Sequence, residues 1–455
     1  MGKTSITLAA FKYLQEKKLA RKMLCIGLLR PTYLVWPKEL KKWTDFRGMS
    51  YQILHGPKKE AALHTDADIH FMNLEGLEWL LGVTKTKTPG GKTRVEVNRK
   101  RFKALGYDTL VVDELSKFRH TSTNRFKALK FIISTFARRW GLTGSPAANG
   151  LMGMFGQCYT LDEGRTMGPY ITHYRTKYFD KGYDGYSWDL KEGADKKIFK
   201  RIKPLMLRLD AKDYLKLPKV VNNPIMLKLP PDVKEFYDGL EKDLLARIDD
   251  NTITAANAGV ASGKCRQVTN GGIYLDPEVR KLMKAKKKDR KTIHLHTKKI
   301  DALEELIDEL QGEPLLVAYD FGHDLERLRE RFGKDLPYIG GGVSVKRAGE
   351  LESLWNAGKL PVLFGHPQSI AHGLNLQSVG KHVCFHSIPW DYELYDQFIK
   401  RVARQGSKAK RVTVHHLIME DGLDPIIMAA LSGKEKGQQA LFKALKAIKR
   451  TRKPL

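Results

Sequence analysis

The sequence predicts an α/β protein of two parallel-sheet lobes with a helical insertion between them. Three observations carry that prediction. Short apolar runs alternate with helix-spaced segments through the opening third of the chain, and the alternation resumes from Thr292. Between the two regions the strand signal fades into a helix-rich stretch. With 455 residues, the chain is also too long for one compact core.

The elements follow in order. Ser5–Gln15 carries Ile6, Ala9, Ala10 and Leu14 at helical spacing, which predicts a helix burying that stripe. The run MLCIGLL (Met23–Leu29) is continuous and apolar, as expected of a parallel strand covered on both faces. VWPKELKKW returns to helical spacing, and YQIL, IHFMN and TLVVDE are further strands. Thr84–Asn98 is polar with Pro-Gly-Gly at its centre and reads as an exposed hairpin. In the second region PLLVAYD, LPVLFGH and KHVCFHS are strands, and Gly322–Phe332 is a helix. The expected division is a first lobe over 1–150 and a helical protrusion and linker over 151–290. A second lobe over 291–425 and a basic helical tail over 426–455 complete it.

Composition narrows the class. Hydrophobic residues make up 42% and charged residues 29%, the balance of a globular protein. Eighty Lys and Arg face 51 Asp and Glu, a formal charge of +29. Such an excess repels itself in a compact chain and commonly serves a polyanionic partner, nucleic acid first, the alternative being a merely solubilising surface. Cys25, Cys158, Cys265 and Cys384 lie far apart, so they form neither a zinc motif nor a disulfide framework. No signal-like layout opens the chain and no apolar run is long enough to cross a bilayer, so a soluble protein of the cytoplasm is expected.

Several short motifs carry chemistry. Gly2-Lys3-Thr4 ahead of a helix reads as the second half of a phosphate-binding loop. Asp113-Glu114 closes an apolar strand, where α/β sheets bind ligands. An Asp there can hold Mg2+ and the adjacent Glu can deprotonate a water, although an acidic strand end can also simply begin a helix. RRWGLTGSPAANG places Thr143 and Ser145 at the end of the neighbouring strand, or at a helix entry. Gln397, Arg401 and Arg404 are spaced to share one helical face. That face suits a guanidinium pair for a γ-phosphate, or a solvated basic stripe. GHPQSIAHGLNLQ (Gly365–Gln377) is a loop of small and polar groups suited to close approach by phosphates.

Taken in order, GKT, LLRPTYLVWPKELKKW, DEL, LTGSP, HGLNLQ and QFIKRVARQG resemble the motifs of superfamily II helicases. The branch is the SWI/SNF-like, DEAD/DEAH-related one, in the compact form that bacteriophages and prophages encode. LRLDAKDYLKLPKVV and WNAGKLPVLFGHPQSIAHGLNLQ look like signatures of that subgroup, and the resemblance covers nearly the whole chain. It implies two RecA-like lobes that use ATP and Mg2+, and an ATP-dependent DNA helicase or translocase. Gly2 and Lys3 would then hold phosphates, Thr4 and Asp113 the Mg2+, and Glu114 the attacking water. Gln397, Arg401 and Arg404 match the final motif, with the two arginines as arginine fingers. Thr143 and Ser145 match the motif that links hydrolysis to lobe movement, and Pro31 and Ser369 lie in segments facing the nucleic-acid backbone. Leu115 and Ser116 stand where the founding pattern has Ala and His.

The implied partner is DNA, duplex and read with little sequence preference, bound by a monomer. The aromatic stretch Tyr170–Trp188 reads as packing rather than as a base-stacking platform. In relatives the position before Gly2 lies inside the phosphate loop, so Met1 is expected to be an internal methionine. The rival reading is a DNA-binding relative with impaired or no ATPase, its phosphate loop being incomplete.

Overall fold

A computed structural model of the chain describes residues 2–87, 93–144, 147, 150–182, 188–207, 217–246, 255–275, 279, 291–371 and 373–432. Ser145, most of the LRLDAKDYLKLPKVV tract and nearly all of the basic tail lie outside the described residues. The chain divides into two compact units, Met1–Asp210 and Ala211–Leu455.

In the first unit, helix α1 (Lys3–Glu16) leads to β1 (Met23–Gly27), α2 (Trp36–Lys42), β2 (Tyr51–Ile53), α3 (Lys59–His64) and β3 (Ile69–Asn73). After α4 (Leu77–Leu80), β4 (Thr84–Lys87) and β5 (Thr93–Glu96) pair antiparallel as the expected hairpin, whose turn is not among the described residues. Then come α5 (Arg99–Ala104), β6 (Thr109–Asp113), α6 (Asn124–Lys130) and β7 (Arg138–Leu142). The five-stranded sheet runs β2-β3-β1-β6-β7 and all its pairs are parallel. β1 and β3 are buried throughout and β6 up to its last residue, as their mostly apolar sequences favour, and β3 buries His70 and Asn73 with them. β7, at the end of the sheet, is half-buried along its whole length.

Helix α1 turns a different face inward from the one its apolar spacing predicts. Thr7, Leu8 and Phe11 are buried, whereas Ala9 and Ala10 are exposed and Ile6 is 50% exposed. Two features explain the rotation. Leu8 and Phe11 offer more apolar area than the alanines and join the core of Met23, Trp36, Phe71 and Val111. Thr7 can be buried because its hydroxyl donates to the Lys3 carbonyl at 2.8 Å.

The stretch expected as one helical insertion is shared between the units. Helices α7 (Met154–Asp162), α8 (Ile171–Tyr178) and α9 (Ala194–Ile202), with the hairpin of β8 (Phe179–Lys181) and β9 (Trp188–Leu190), belong to the first unit. They enclose a separate core of Leu151, Phe155, Tyr174, Tyr178 and Ile198. The buried Tyr174 donates its hydroxyl to the Leu151 carbonyl at 2.7 Å, and Tyr178 and Phe179 are buried with it, whereas Tyr170 is exposed and residues 183–187 lie outside the described residues.

The second unit carries β10 (Lys219–Leu227), α10 (Pro231–Ala246), α11 (Ala255–Asn270) and an antiparallel pair, β11 (Gly272–Tyr274) and β12 (Thr292–His294). Next come α12 (Lys298–Glu309), β13 (Leu315–Ala318), α13 (Gly322–Phe332), β14 (Tyr338–Ile339) and α14 (Val345–Asn356). It ends with β15 (Val362–Gly365), α15 (Pro367–Ile370), β16 (His382–Phe385), α16 (Tyr392–Ile399), β17 (Arg411–Met419) and α17 (Asp424–Ser432). Its six-stranded sheet, β10-β17-β16-β13-β15-β14, is again wholly parallel. The architecture is therefore α/β with two parallel-sheet lobes. No helix among the described residues is long and apolar enough to cross a membrane.

The second lobe also buries a polar network. Lys299, fully buried, pairs with Asp424 at 2.6 Å and donates to Asn270 Oδ1 at 3.0 Å. Asn270 in turn donates to Asp324 Oδ2 at 3.0 Å and to Ser387 at 2.7 Å. His386 lies beside this network, buried and neutral. Burial lowers its pKa from 6.5 to about 3, the charge of Asp324 only partly offsetting it. Burial likewise lowers His296, His416 and, in the first lobe, His70 to about 4.

In each case the folded pKa lies below the unfolded value, so the unfolded chain binds more protons between the two. Stability is therefore complete above about pH 6.5 and falls as pH drops toward about 4. The expected loss is on the order of 1–2 kcal/mol per histidine near pH 5. Urea unfolding followed across this range should show the midpoint falling with acid; a flat midpoint would contradict the burial of neutral imidazoles.

Candidate functional site

The carboxyl edge of the first sheet gathers most of the chemistry. β1 pairs with β3 on one side and β6 on the other, so the chain order reverses beside it, the usual place for a ligand crevice. Asp113 ends β6 there, and Gly27 ends β1 beside it. A Cβ on Gly27 would come within 3.1 Å of the Asp113 Cβ, so the glycine makes room for the acid. The indole of Trp36, a fully buried side chain at the start of α2, donates to Asp113 Oδ2 at 3.0 Å. Burial raises the Asp113 pKa, opposed by this hydrogen bond and by the nearby positive charge of Lys3. Lys3 opens α1, whose positive helix end suits an anion. Thr4 follows it and is half-buried.

Glu114, directly after the strand, adopts left-handed backbone at φ 69 and ψ 64. For a residue with a Cβ this costs on the order of 1–2 kcal/mol. The turn Leu115–Phe118 follows, and Leu115 folds back onto β7 over Gly141. A Cβ on Gly141 would sit 2.5 Å from Leu115 Cδ2, so a larger residue there would displace the Leu115 side chain. Ser116 donates to Glu114 Oε1 at 2.8 Å, and Thr143, just past the end of β7, reaches the same oxygen at 3.4 Å. Lys3, Asp113, Glu114 and Thr143 are thus brought to one edge.

Pro31 also lies beyond this edge, a few residues past β1, at the start of a π-helical turn (Pro31–Val35). It is buried, so it shapes the turn and does not itself offer a surface for contact. Trp36 is the residue that sequence reasoning missed. It stood inside the quoted motif, but nothing in the spacing said that its indole would meet Asp113.

In the second lobe the loop after β15 meets the arginines. Gln397 lies on α16, but that helix ends at Ile399, so Arg401 and Arg404 occupy the following turns and share no helical face with it. Arg401 donates to the carbonyls of Leu374 (3.1 Å) and Ala371 (2.6 Å), and Arg404 donates to Asn375 Oδ1 at 2.6 Å. From the other side α14 holds the same loop. Trp355 donates to the Leu376 carbonyl at 2.9 Å, Asn356 to the Asn375 carbonyl at 2.7 Å, and buried Glu352 accepts from the Asn375 amide at 2.9 Å. Gln397 donates to Glu393 at 3.0 Å. Ser369 lies on the short helix α15, half-buried, a few residues past β15.

Two family matches together cover most of the chain. Residues 1–288 match the SNF2-related domain, and residues 298–406 match the Helicase conserved C-terminal domain. The chain belongs to the SNF2-related family. It is 32% identical to "Putative protein p41" of Acyrthosiphon pisum secondary endosymbiont phage 1, over 98% of this chain and 93% of that protein. Among solved structures it is similar to the Sulfolobus solfataricus SWI2/SNF2 ATPase core in complex with dsDNA, at 21% identity and a TM-score of 0.39. That match covers 94% of this chain and 83% of the other. The Sulfolobus solfataricus SWI2/SNF2 ATPase core domain matches at 20% identity and a TM-score of 0.37, over 97% and 83% of the two chains.

The strain around Glu114 gives a direct test of this SNF2-related site. Gly141→Ala should lose about 1–3 kcal/mol in denaturant unfolding, because its methyl overlaps Leu115. In a Leu115→Ala background the same change should cost far less. Equal costs in both backgrounds would show that Leu115 does not lie over Gly141.

Proposed function

We propose that the chain is a DNA-dependent ATPase that couples ATP hydrolysis to movement along DNA. The observation that carries this reading is the convergence of Lys3, Asp113, Glu114 and Thr143 on the carboxyl edge of one parallel sheet. Membership of the SNF2-related family supports it, as does a formal charge of +29. The fit to a nucleotide is one of donor chemistry. An ammonium and a helix N-terminus suit phosphates, while a carboxylate and a hydroxyl are the hard oxygen donors that Mg2+ takes. Among the described residues no cluster of three or more His, Cys, Asp or Glu could hold a metal unaided, which fits an ion that arrives with substrate phosphates.

Lys3 would bind the phosphates, and Thr4 and Asp113 the Mg2+, whose chemistry when bound is to neutralise charge on the phosphate oxygens. Glu114 would accept the proton of the attacking water. In the second lobe Arg404, and Arg401 with it, would serve as arginine fingers after rearranging from the loop contacts they make here. Thr143 and Ser145 would pass the state of the nucleotide to the rest of the lobe. Pro31 would set the turn, and Ser369 the loop, whose neighbouring groups meet the DNA backbone. The partner would be duplex DNA, bound through its phosphates and therefore read with little sequence preference.

Phosphate release measured with and without duplex DNA tests the reading. The wild-type chain should be stimulated by DNA, and Glu114→Gln should lose on the order of a hundredfold or more in kcat while still binding DNA. Lys3→Ala should also abolish turnover. DNA binding without any turnover would instead favour a DNA-binding relative that has lost its ATPase. Affinity for DNA should fall steeply and linearly with the logarithm of salt concentration. A flat salt titration would remove the phosphate-tracking part of the proposal.

A further inference from the structure

We propose that Ser116 is a positioning residue, which together with Thr143 clamps Glu114 by one carboxylate oxygen and leaves the other to face the attacking water. The proposal rests on the ATPase reading above and adds to it the device that aims its general base. Ser116 is 6% exposed and donates to Glu114 Oε1 at 2.8 Å. Thr143 approaches the same atom from the neighbouring strand at 3.4 Å. Both hydroxyls therefore occupy Oε1, and neither contact involves Oε2.

The backbone favours the same arrangement. Left-handed geometry at Glu114 turns the chain back at once, and Leu115 seats against Gly141 on β7. That fold-back brings Ser116, two residues past Glu114, within reach of its carboxylate. The acid is thus attached both to its own turn and to the strand that carries Thr143. A shift of the β7 end relative to β6 would lengthen the Thr143 contact while Ser116 kept its hold. Ser116 stands where the DEAH pattern has histidine, and in this chain its hydroxyl contacts Glu114.

The test uses the full chain with Ser116→Ala, Ser116→Gly and Ser116→Thr. Removing the hydroxyl should lower the kcat of DNA-stimulated phosphate release about tenfold, with the KM for ATP and the melting temperature unchanged. Ser116→Thr, which keeps the hydroxyl, should restore most of the rate. In a Thr143→Ala background the Ser116→Ala effect should differ from that in the wild type, since both groups act on one oxygen. A normal kcat in Ser116→Ala and Ser116→Gly, a loss confined to KM, or strict additivity would overturn the proposal. Crystal structures supply a readout that needs no turnover. In Ser116→Ala the Glu114 carboxylate should leave its place beside Thr143, and an unmoved carboxylate overturns the proposal whether or not the wild type hydrolyses ATP. A wild-type chain without turnover would refute the ATPase reading alone.

Discussion

The close flanking of β6 by its neighbours is the constraint on which the first lobe depends. At the carboxyl edge, Gly27 of β1 leaves room for the Asp113 side chain, and Gly141 of β7 leaves room for Leu115. A larger residue at Gly27 would crowd the Asp113 Cβ, and one at Gly141 would displace the Leu115 side chain. With both in place, the strand delivers Asp113 to a buried indole donor and turns Glu114 immediately into strained, left-handed backbone. Strain held by packing in this way is characteristic of sites where a side chain must point in one direction. The apolar burial of β1, β3 and β6 supplies the rigid frame that holds it.

The second lobe solves a comparable problem with hydrogen bonds. Its loop after β15 is irregular, and an irregular backbone must find partners for its carbonyl and amide groups. Helix α14 supplies Trp355, Asn356 and Glu352, and the turns after α16 supply Arg401 and Arg404. The two arginines therefore tie the loop together in the state described here.

Much of this was legible in the sequence, for physical reasons that also explain the failures. Buried parallel strands announce themselves as unbroken apolar runs, so β1, β3, β6, β13, β15 and β16 were foreseen. β10 was not, because it is an edge strand broken by Pro224 and two asparagines, and it lies in the stretch read as helix-rich. β17 was passed over beside the basic segment that precedes it. The Gln397–Arg404 spacing was correct for a helix, but spacing cannot show that the helix stops at Ile399. The buried face of α1 was misread because alanines satisfy an apolar pattern without demanding burial. Contacts such as Trp36 to Asp113, or Ser116 to Glu114, arise from the turn geometry and leave no periodic trace. The buried network of Lys299, Asn270, Asp324 and Asp424 is likewise assembled from four distant segments.

In the proposed function Lys3 and Asp113, far apart in sequence, share one site for Mg2+ and ATP, and calorimetric titration with a non-hydrolysable ATP analogue, with and without Mg2+, measures it. The wild type should bind in a Mg2+-dependent way, and Lys3→Ala should bind at least about tenfold more weakly. Asp113→Ala should keep only a residual affinity that is insensitive to Mg2+. Binding of equal strength in all three proteins, with the same response to Mg2+, would contradict it.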